Sequence, residues 1–169
     1  MNLRSFFFIF IIIAALISGC QKKDAPGNPC DGLLNESPPT KIMVQFLDKL
    51  TGQNLILSKN LKADDVTVID PGTGKPFAGW VVSSGMSSSP FNGSVQFSVF
   101  HETAGNYSYQ ITLADLGTVT MTYTVSKTVT GDPCKPNAYP VSDIKISDRA
   151  YLPFSYDGKS YPNILVVEL

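Results

Sequence analysis

The chain contains few residues whose types and spacing could support catalysis, and the most distinctive is its single histidine, His101. A Ser-His-Asp hydrolase would need a serine and a carboxylate brought to that imidazole. Glu102 is adjacent, but none of the many serines stands in the Gly-x-Ser-x-Gly turn that exposes a nucleophile. Because His101 follows a strand-like run, the sequence favours an exposed strand-end histidine over a catalytic base.

Three aspartates, Asp64, Asp65 and Asp70, lie close together along the chain. Two facing carboxylates could cleave a glycosidic bond, and a cluster of carboxylates could bind calcium. However, Asp64 and Asp65 precede a predicted strand, and Asp70 opens the Gly/Pro-rich run 70–76. Asp is favoured at such positions because its side chain hydrogen-bonds the local backbone, so we predict roles in turns.

Aromatic residues offer a second kind of chemistry, since a ring can stack on the apolar face of a sugar. Trp80, the only tryptophan, is one candidate ligand contact, although Gly79 and Val81 beside it favour a place in the core. The Ser/Gly/Pro-rich loop 83–93 is the stronger candidate for recognition. In this loop we expect Met86 and Phe91 to be exposed among small residues.

The sequence predicts that strands position these residues. Apolar side chains recur at alternate positions, and the chain is rich in Thr, Ser, Val and Tyr, as is typical of β-structure. Alternation is clearest in 94–100, 107–113 and 119–125. The only predicted helix is short, at 60–64. Further strands are predicted at 41–48, 66–69, 77–83, 141–146, 150–156 and 163–169. The sequence therefore predicts an all-β sandwich.

Two stretches resemble known sandwich families. The run VQFLDKLTGQNL at 44–55 resembles the opening of transthyretin-like and carboxypeptidase-regulatory-like modules. The run ETAGNYSY at 102–109 resembles the corner of immunoglobulin-like domains, which implies that the Tyr107 hydroxyl bonds back to nearby backbone as a tyrosine corner. Tyr109 stands where those domains carry an inter-sheet cysteine. The resemblance implies an immunoglobulin-like antiparallel β-sandwich with additional C-terminal strands.

The amino-terminal segment has the order of a secretory signal: positive Arg4, the apolar run 6–17, and two small residues before Cys20. The apolar run is too short for a membrane span of about 20 residues. The segment resembles a bacterial lipoprotein signal, which implies that Cys20 is acylated and begins the mature protein. Gln21 after it favours, within that family, lipid anchoring in the outer membrane, on its periplasmic or surface-exposed face. Together the features resemble small Bacteroidota lipoproteins of unknown function.

Composition and the resemblances divide the chain into five segments. We predict a lipoprotein signal peptide, a lipidated tether, the β-sandwich, a Pro-rich connector, and C-terminal strands packed on the same sandwich. Their bounds are 1–19, 20–40, 41–126, 127–140 and 141–169.

The two remaining cysteines, Cys30 and Cys134, form an even pair in a compartment that would be oxidising. We predict a disulfide between them, and two buried free thiols are the alternative. Two cysteines and the distant His101 lack the ligand spacing of a metal site. We expect no metal and no cofactor.

The net charge is −1, and it becomes −2 when Arg4 leaves with the signal. Without a basic cluster, this balance argues against nucleic acid as a partner. The sequence favours a non-enzymatic binding or accessory module for an envelope protein or glycan, held at the membrane by its lipid. One alternative is a hydrolase acting on polysaccharide or peptidoglycan through Asp64 and Asp65. Another is a structural subunit that assembles by strand addition.

Overall fold

The computed structural model describes residues 30–31, 38–85 and 89–169. The predicted signal peptide, Cys20, most of the predicted tether and Met86 lie outside the described residues.

The chain divides into two compact units, Met1–Leu34 and Asn35–Leu169. In the first unit only Cys30 and Asp31 are described, and both lie in a turn. The second unit carries every strand of the described residues. These strands are β1 (Thr40–Leu47), β2 (Val66–Ile69), β3 (Trp80–Ser83), β4 (Ser94–Val99), β5 (Gly105–Leu113), β6 (Gly117–Val125), β7 (Thr128–Asp132), β8 (Lys135–Ala138), β9 (Val141–Ile146), β10 (Tyr151–Tyr156) and β11 (Lys159–Glu168).

The strands form two large sheets and one small one. The five-stranded sheet has the order β10-β11-β1-β4-β3, and the four-stranded sheet has the order β2-β5-β6-β9. The hairpin β7–β8 makes a separate two-stranded sheet. The described chain is therefore mostly β and rich in antiparallel pairs, and the predicted all-β class is confirmed.

One hydrophobic core contains side chains from both large sheets. Alternate residues of β4, β5 and β6 are buried, as the period of two in the sequence predicts. Residues of β1, which is central in the five-stranded sheet and lies beside β4, are buried in the same core. The largest fully buried members are Tyr123, Phe46, Phe97, Ile42, Ile56 and Ile111. Tyr123 is the polar exception among these.

The pair β1–β11 is parallel, with Val44 opposite Leu165. This departs from the wholly antiparallel sandwich that the sequence resemblance implied. The physical reason is the chain path: β9 ends at the edge of the four-stranded sheet, and the β10–β11 hairpin then brings β11 beside β1 in the same direction. A parallel pair needs such a long connection between its strands, which no local pattern encodes.

The helix predicted at 60–64 is absent. Instead, α1 spans Leu55–Ser58 and a single 3₁₀ turn spans Ala63–Asp65. The Asn54 side chain begins α1, because its Oδ1 accepts from the Leu57 N–H at 3.1 Å. Asn60 interrupts further helix with a left-handed φ of 53°.

The segment predicted as a connector, 127–140, contains the β7–β8 hairpin. Every residue of β7 is exposed, so the strand has no buried face and no apolar alternation. A bulge between Val129 and Asp132 includes Gly131, whose φ is +77°. The base of the hairpin is joined by the Ser126 N–H, which donates to the Pro140 carbonyl at 3.2 Å.

Gly79 allows the connection from β2 to β3 to pass close to the core. A Cβ at this position would lie 2.5 Å from Phe77 Cζ and 3.0 Å from the Ser98 carbonyl oxygen. We expect Gly79→Ala to lower the free energy of unfolding by about 1–3 kcal/mol, because the Phe77 ring and the Ser98 backbone must both shift. Urea denaturation of the full chain measures the change.

Gly85→Ala is the matched control for that measurement. A Cβ at Gly85 meets no atom of the described residues within 4 Å, and we expect a stability change within about 0.5 kcal/mol. Equal effects of the two substitutions would contradict the close approach at Gly79.

Candidate functional site

A cleft of about 770 Å³ lies at the end of the second unit where β1 begins and β4 ends. One wall comes from the approach to β1 and from the residues that follow β4. The other wall comes from the β7–β8 hairpin and the segment leading into β9. The lining residues are Pro38, Thr40, Val99, Phe100, His101, Glu102, Thr128, Val141 and the run 134–140.

His101 lines this cleft and is half-buried, rather than exposed as the sequence predicted. Its Nε2 lies 2.8 Å from the Tyr123 hydroxyl, and its ring centroid lies 3.7 Å from that of Tyr107. Tyr107 and Tyr123 are direct partners across β5 and β6. The pairing of these strands thus places two tyrosine rings against the His101 ring. The residues next to the histidine in the sequence do not predict this arrangement.

Burial lowers the pKa of His101 below its usual 6.5 and raises the pKa of Tyr123 above its usual 10.0. Both groups are therefore neutral at pH 7, and their contact is a hydrogen bond between neutral partners. Among the described residues, the other ring nitrogen of His101, Nδ1, makes no hydrogen bond. That nitrogen remains able to pair with a ligand in the cleft.

The lowered pKa of His101 predicts that mildly acidic pH weakens the fold. Below about pH 6.5 the unfolded chain binds a proton that the folded chain resists, so stability falls with pH until the folded-state pKa is passed. Urea denaturation at pH 7.5 and 5.5 should show lower stability at pH 5.5, and His101→Gln should reduce this difference. A wild-type protein equally stable at both values would contradict the prediction.

Asp48 and Asp70 affect stability in a lower pH range than His101 does. Backbone hydrogen bonds from Thr51 and Gly72 lower the pKa of Asp48 and Asp70, respectively, below 3.8. Their stabilising contributions are complete above the unfolded-state pKa and are lost only as the pH falls through the still lower folded-state values. A change between pH 7.5 and 5.5 therefore does not come from these two aspartates.

Tyr107 connects the residues after β4 to the start of β5. Its hydroxyl donates to the Thr103 carbonyl at 3.0 Å and lies 2.9 Å from the Thr103 Oγ1. This backward bond to a residue four positions earlier is the kind that a tyrosine corner makes. Since the His101 ring stacks on Tyr107, the same bond helps to hold the imidazole in place at the cleft.

The pair of rings formed by Tyr107 and Tyr123 continues into the core as a series of aromatic side chains. Tyr123 lies 6.1 Å from Tyr109, and Tyr109 lies 4.4 Å from Phe77, as centroid distances. Phe77 in turn lies 6.3 Å from Phe97. These separations are those of favourable aromatic pairs, so His101, which lines the cleft, is supported by well-packed side chains.

Two of the ligand contacts predicted from sequence, Trp80 and Phe91, do not line this cleft. Trp80 is half-buried and packs against the core. Phe91 is half-buried rather than exposed, because its ring packs edge-to-face on Phe154 at 5.9 Å and Tyr161 at 5.8 Å. The third predicted contact, Met86, lies outside the described residues.

Asp65 and Asp70 hold local turns, and Asp64 lies in the 3₁₀ turn Ala63–Asp65. Asp65 accepts from the Lys62 N–H at 2.8 Å, and Asp70 accepts from the Gly72 N–H at 2.8 Å. Neither lines the cleft, nor does Asp64, and among the described residues of the lining Glu102 is the one carboxylate. Across the described ranges, no group of three or more His, Cys, Asp or Glu residues could hold a metal ion.

Sequence reasoning missed most of the cleft. Phe100, Lys135, Asn137 and Tyr139 line it, yet none had been singled out. Three of these belong to the segment that was interpreted as a connector. The available signal was Tyr139, a large aromatic residue set between prolines in an otherwise small and polar run.

Cys134, which also lines the cleft, is disulfide-bonded, and so is Cys30. This is compatible with the predicted bond between the two.

Comparison with protein-family models, with characterised proteins and with solved structures found no match. Within the part of the chain that the structure describes, no helix has the length and apolar character needed to cross a membrane.

Proposed function

We propose that this chain is a lipid-anchored protein of the bacterial cell envelope that binds an envelope protein or glycan in the cleft beside His101. It acts as a non-enzymatic binding or accessory module. The cleft is the observation that carries the proposal. Its volume of about 770 Å³ is within the range of small-ligand sites, and its lining residue His101 is held by packed aromatic rings.

The anchor rests on the sequence. Arg4, the apolar run 6–17 and the small residues before Cys20 have the order of a lipoprotein signal. Acylation of Cys20 would tether the cleft to the outer membrane, where envelope ligands are concentrated.

An immunoglobulin-like sandwich is the fold that we propose for residues 41–169. The Tyr107 bond to Thr103 supports it, as does the core shared by the two large sheets. Asp48 also supports the resemblance to transthyretin-like modules, because its Oδ1 accepts from the Thr51 N–H at 2.8 Å and organises the Thr-Gly turn. The parallel β1–β11 pair is this chain's own variation on such a fold.

The hydrolase alternative gains no support from the cleft. A two-carboxylate mechanism needs a facing pair, whereas the part of the lining that the structure describes contains one carboxylate, Glu102.

Anchoring is tested by expressing the full chain in a diderm bacterium fed an alkyne-labelled fatty acid. Wild-type protein should be labelled and should sediment with membranes, whereas Cys20→Ser should lose both properties. An unlabelled, soluble wild-type protein would refute the anchor.

Binding is tested by retention of the full chain, in detergent, on envelope material isolated from the same bacterium. Phe100→Ala should reduce retention, because Phe100 is 53% exposed and lines the cleft. Tyr156→Ala is the matched control, since Tyr156 is 52% exposed and is not among the lining residues. Equal retention of the two variants would refute the cleft as the binding site.

A further inference from the structure

The dimensions of the cleft restrict the kind of ligand it accepts. A stable protein–protein interface buries about 800 Å² on each partner and needs a broad surface. A concave site of about 770 Å³ instead suits a small molecule or a short stretch of a polymer. The ligand is therefore a chain segment or chain end rather than the face of a folded domain.

The prolines of the lining disfavour a peptide strand as that segment. Pro38, Pro136 and Pro140 have no backbone N–H to donate. Pro136 lies within β8, one of the two strands that a peptide would have to extend on the hairpin side. The missing donors interrupt a ladder of main-chain hydrogen bonds along β8, which favours recognition by side chains.

The charges of the described lining residues are balanced. Glu102 and Lys135 contribute one charge of each sign, and burial keeps His101 neutral at pH 7. A phosphate-rich or polyanionic ligand would meet no excess of positive charge here. A neutral ligand matches this electrostatic balance.

The uncharged lining residues combine apolar surface with hydrogen-bonding groups. Phe100 and Tyr139 supply aromatic surface, which can pack against the C–H face of a sugar ring. Asn137, Thr40 and the His101 Nδ1 supply neutral donors and acceptors suited to hydroxyl groups. A pyranose ring combines apolar C–H faces with hydroxyl groups around its edge, so it matches both kinds of lining residue.

From this combination we infer that the cleft binds a short segment of a neutral oligosaccharide. The inference rests on the proposed function, because it names the ligand class for the same site. The His101 ring, fixed by Tyr107 and Tyr123, presents a polar group that loses little freedom on binding.

The test is calorimetric titration of the full lipidated chain in detergent, with its disulfide intact. The probes are maltohexaose, cellohexaose, laminarihexaose, chitohexaose and mannohexaose. We expect saturable binding of at least one, weakened about tenfold by Phe100→Ala and by Asn137→Ala. Tyr156→Ala, with its matched exposure outside the cleft, should bind as the wild type does.

Two comparators separate failure of this inference from failure of the proposed function. They are a polygalacturonate hexamer, which is anionic, and a proline-rich decapeptide. If either binds more tightly than every neutral sugar and depends on Phe100, the ligand class is wrong but the binding module stands. Absence of binding by all neutral probes, or equal binding by Phe100→Ala and Tyr156→Ala, overturns the inference. If Phe100→Ala and Tyr156→Ala are retained equally on envelope material, the proposed function itself is overturned.

Discussion

Breaking the predicted Cys30–Cys134 bond should lower the free energy of unfolding by up to about 4.7 kcal/mol. Both cysteines are disulfide-bonded, and a bond between them closes a loop of about 100 residues. The unfolded chain gains conformational freedom when that loop opens, which in the chain-entropy model is the main source of the loss. Urea denaturation of the full chain, oxidised and reduced, measures the difference.

The Cys30→Ser, Cys134→Ser double variant provides the control. It should match the reduced wild type in stability and should not respond to reductant. Peptide mapping without reduction should also recover the two cysteines in one linked fragment. An oxidised wild type no more stable than the double variant would show that the bond does not constrain the unfolded chain.

The strands at the centre of the fold were predictable because each has one buried face. β4, β5 and β6 begin and end within a few residues of the predicted runs 94–100, 107–113 and 119–125. A period of two survives in the sequence wherever one side of a strand meets the core and the other does not.

Elements without that contrast were not predictable. β7 is exposed along its whole length, so nothing in its sequence distinguishes it from a connector. The parallel neighbour of β1 is chosen by the path of the chain rather than by β1 itself. Propensity and periodicity describe a single segment, whereas the pairing of β1 with β11 joins residues more than 100 positions apart.

The candidate site shows the same limit. His101 was recognised as the only histidine, but its half-burial depends on Tyr107 and Tyr123, which are brought together by the pairing of β5 and β6. Phe91 was predicted to be exposed because its sequence neighbours are small and polar. The Phe154 and Tyr161 rings that cover it come from β10 and β11, far along the chain.

The second large effect is expected at the inner end of the aromatic series. Phe97 is fully buried, pairs with Ile42 and Trp80 on the strands beside it, and lies 6.3 Å from Phe77. Phe97→Ala should lower the free energy of unfolding by about 3–5 kcal/mol, because it removes buried apolar surface and leaves a cavity that rigid neighbours cannot fill. Thermal or urea denaturation of the full chain measures this loss.

Phe100 offers the same substitution three residues later. Its side chain is 53% exposed, and Phe100→Ala should change stability by no more than about 0.5 kcal/mol. A large loss of stability at Phe97 with a small one at Phe100 would show that the core ends between these two residues. Phe100 would then be available to a ligand rather than needed by the fold. Comparable losses would contradict that boundary, and a binding defect in Phe100→Ala would then reflect unfolding instead of a lost contact.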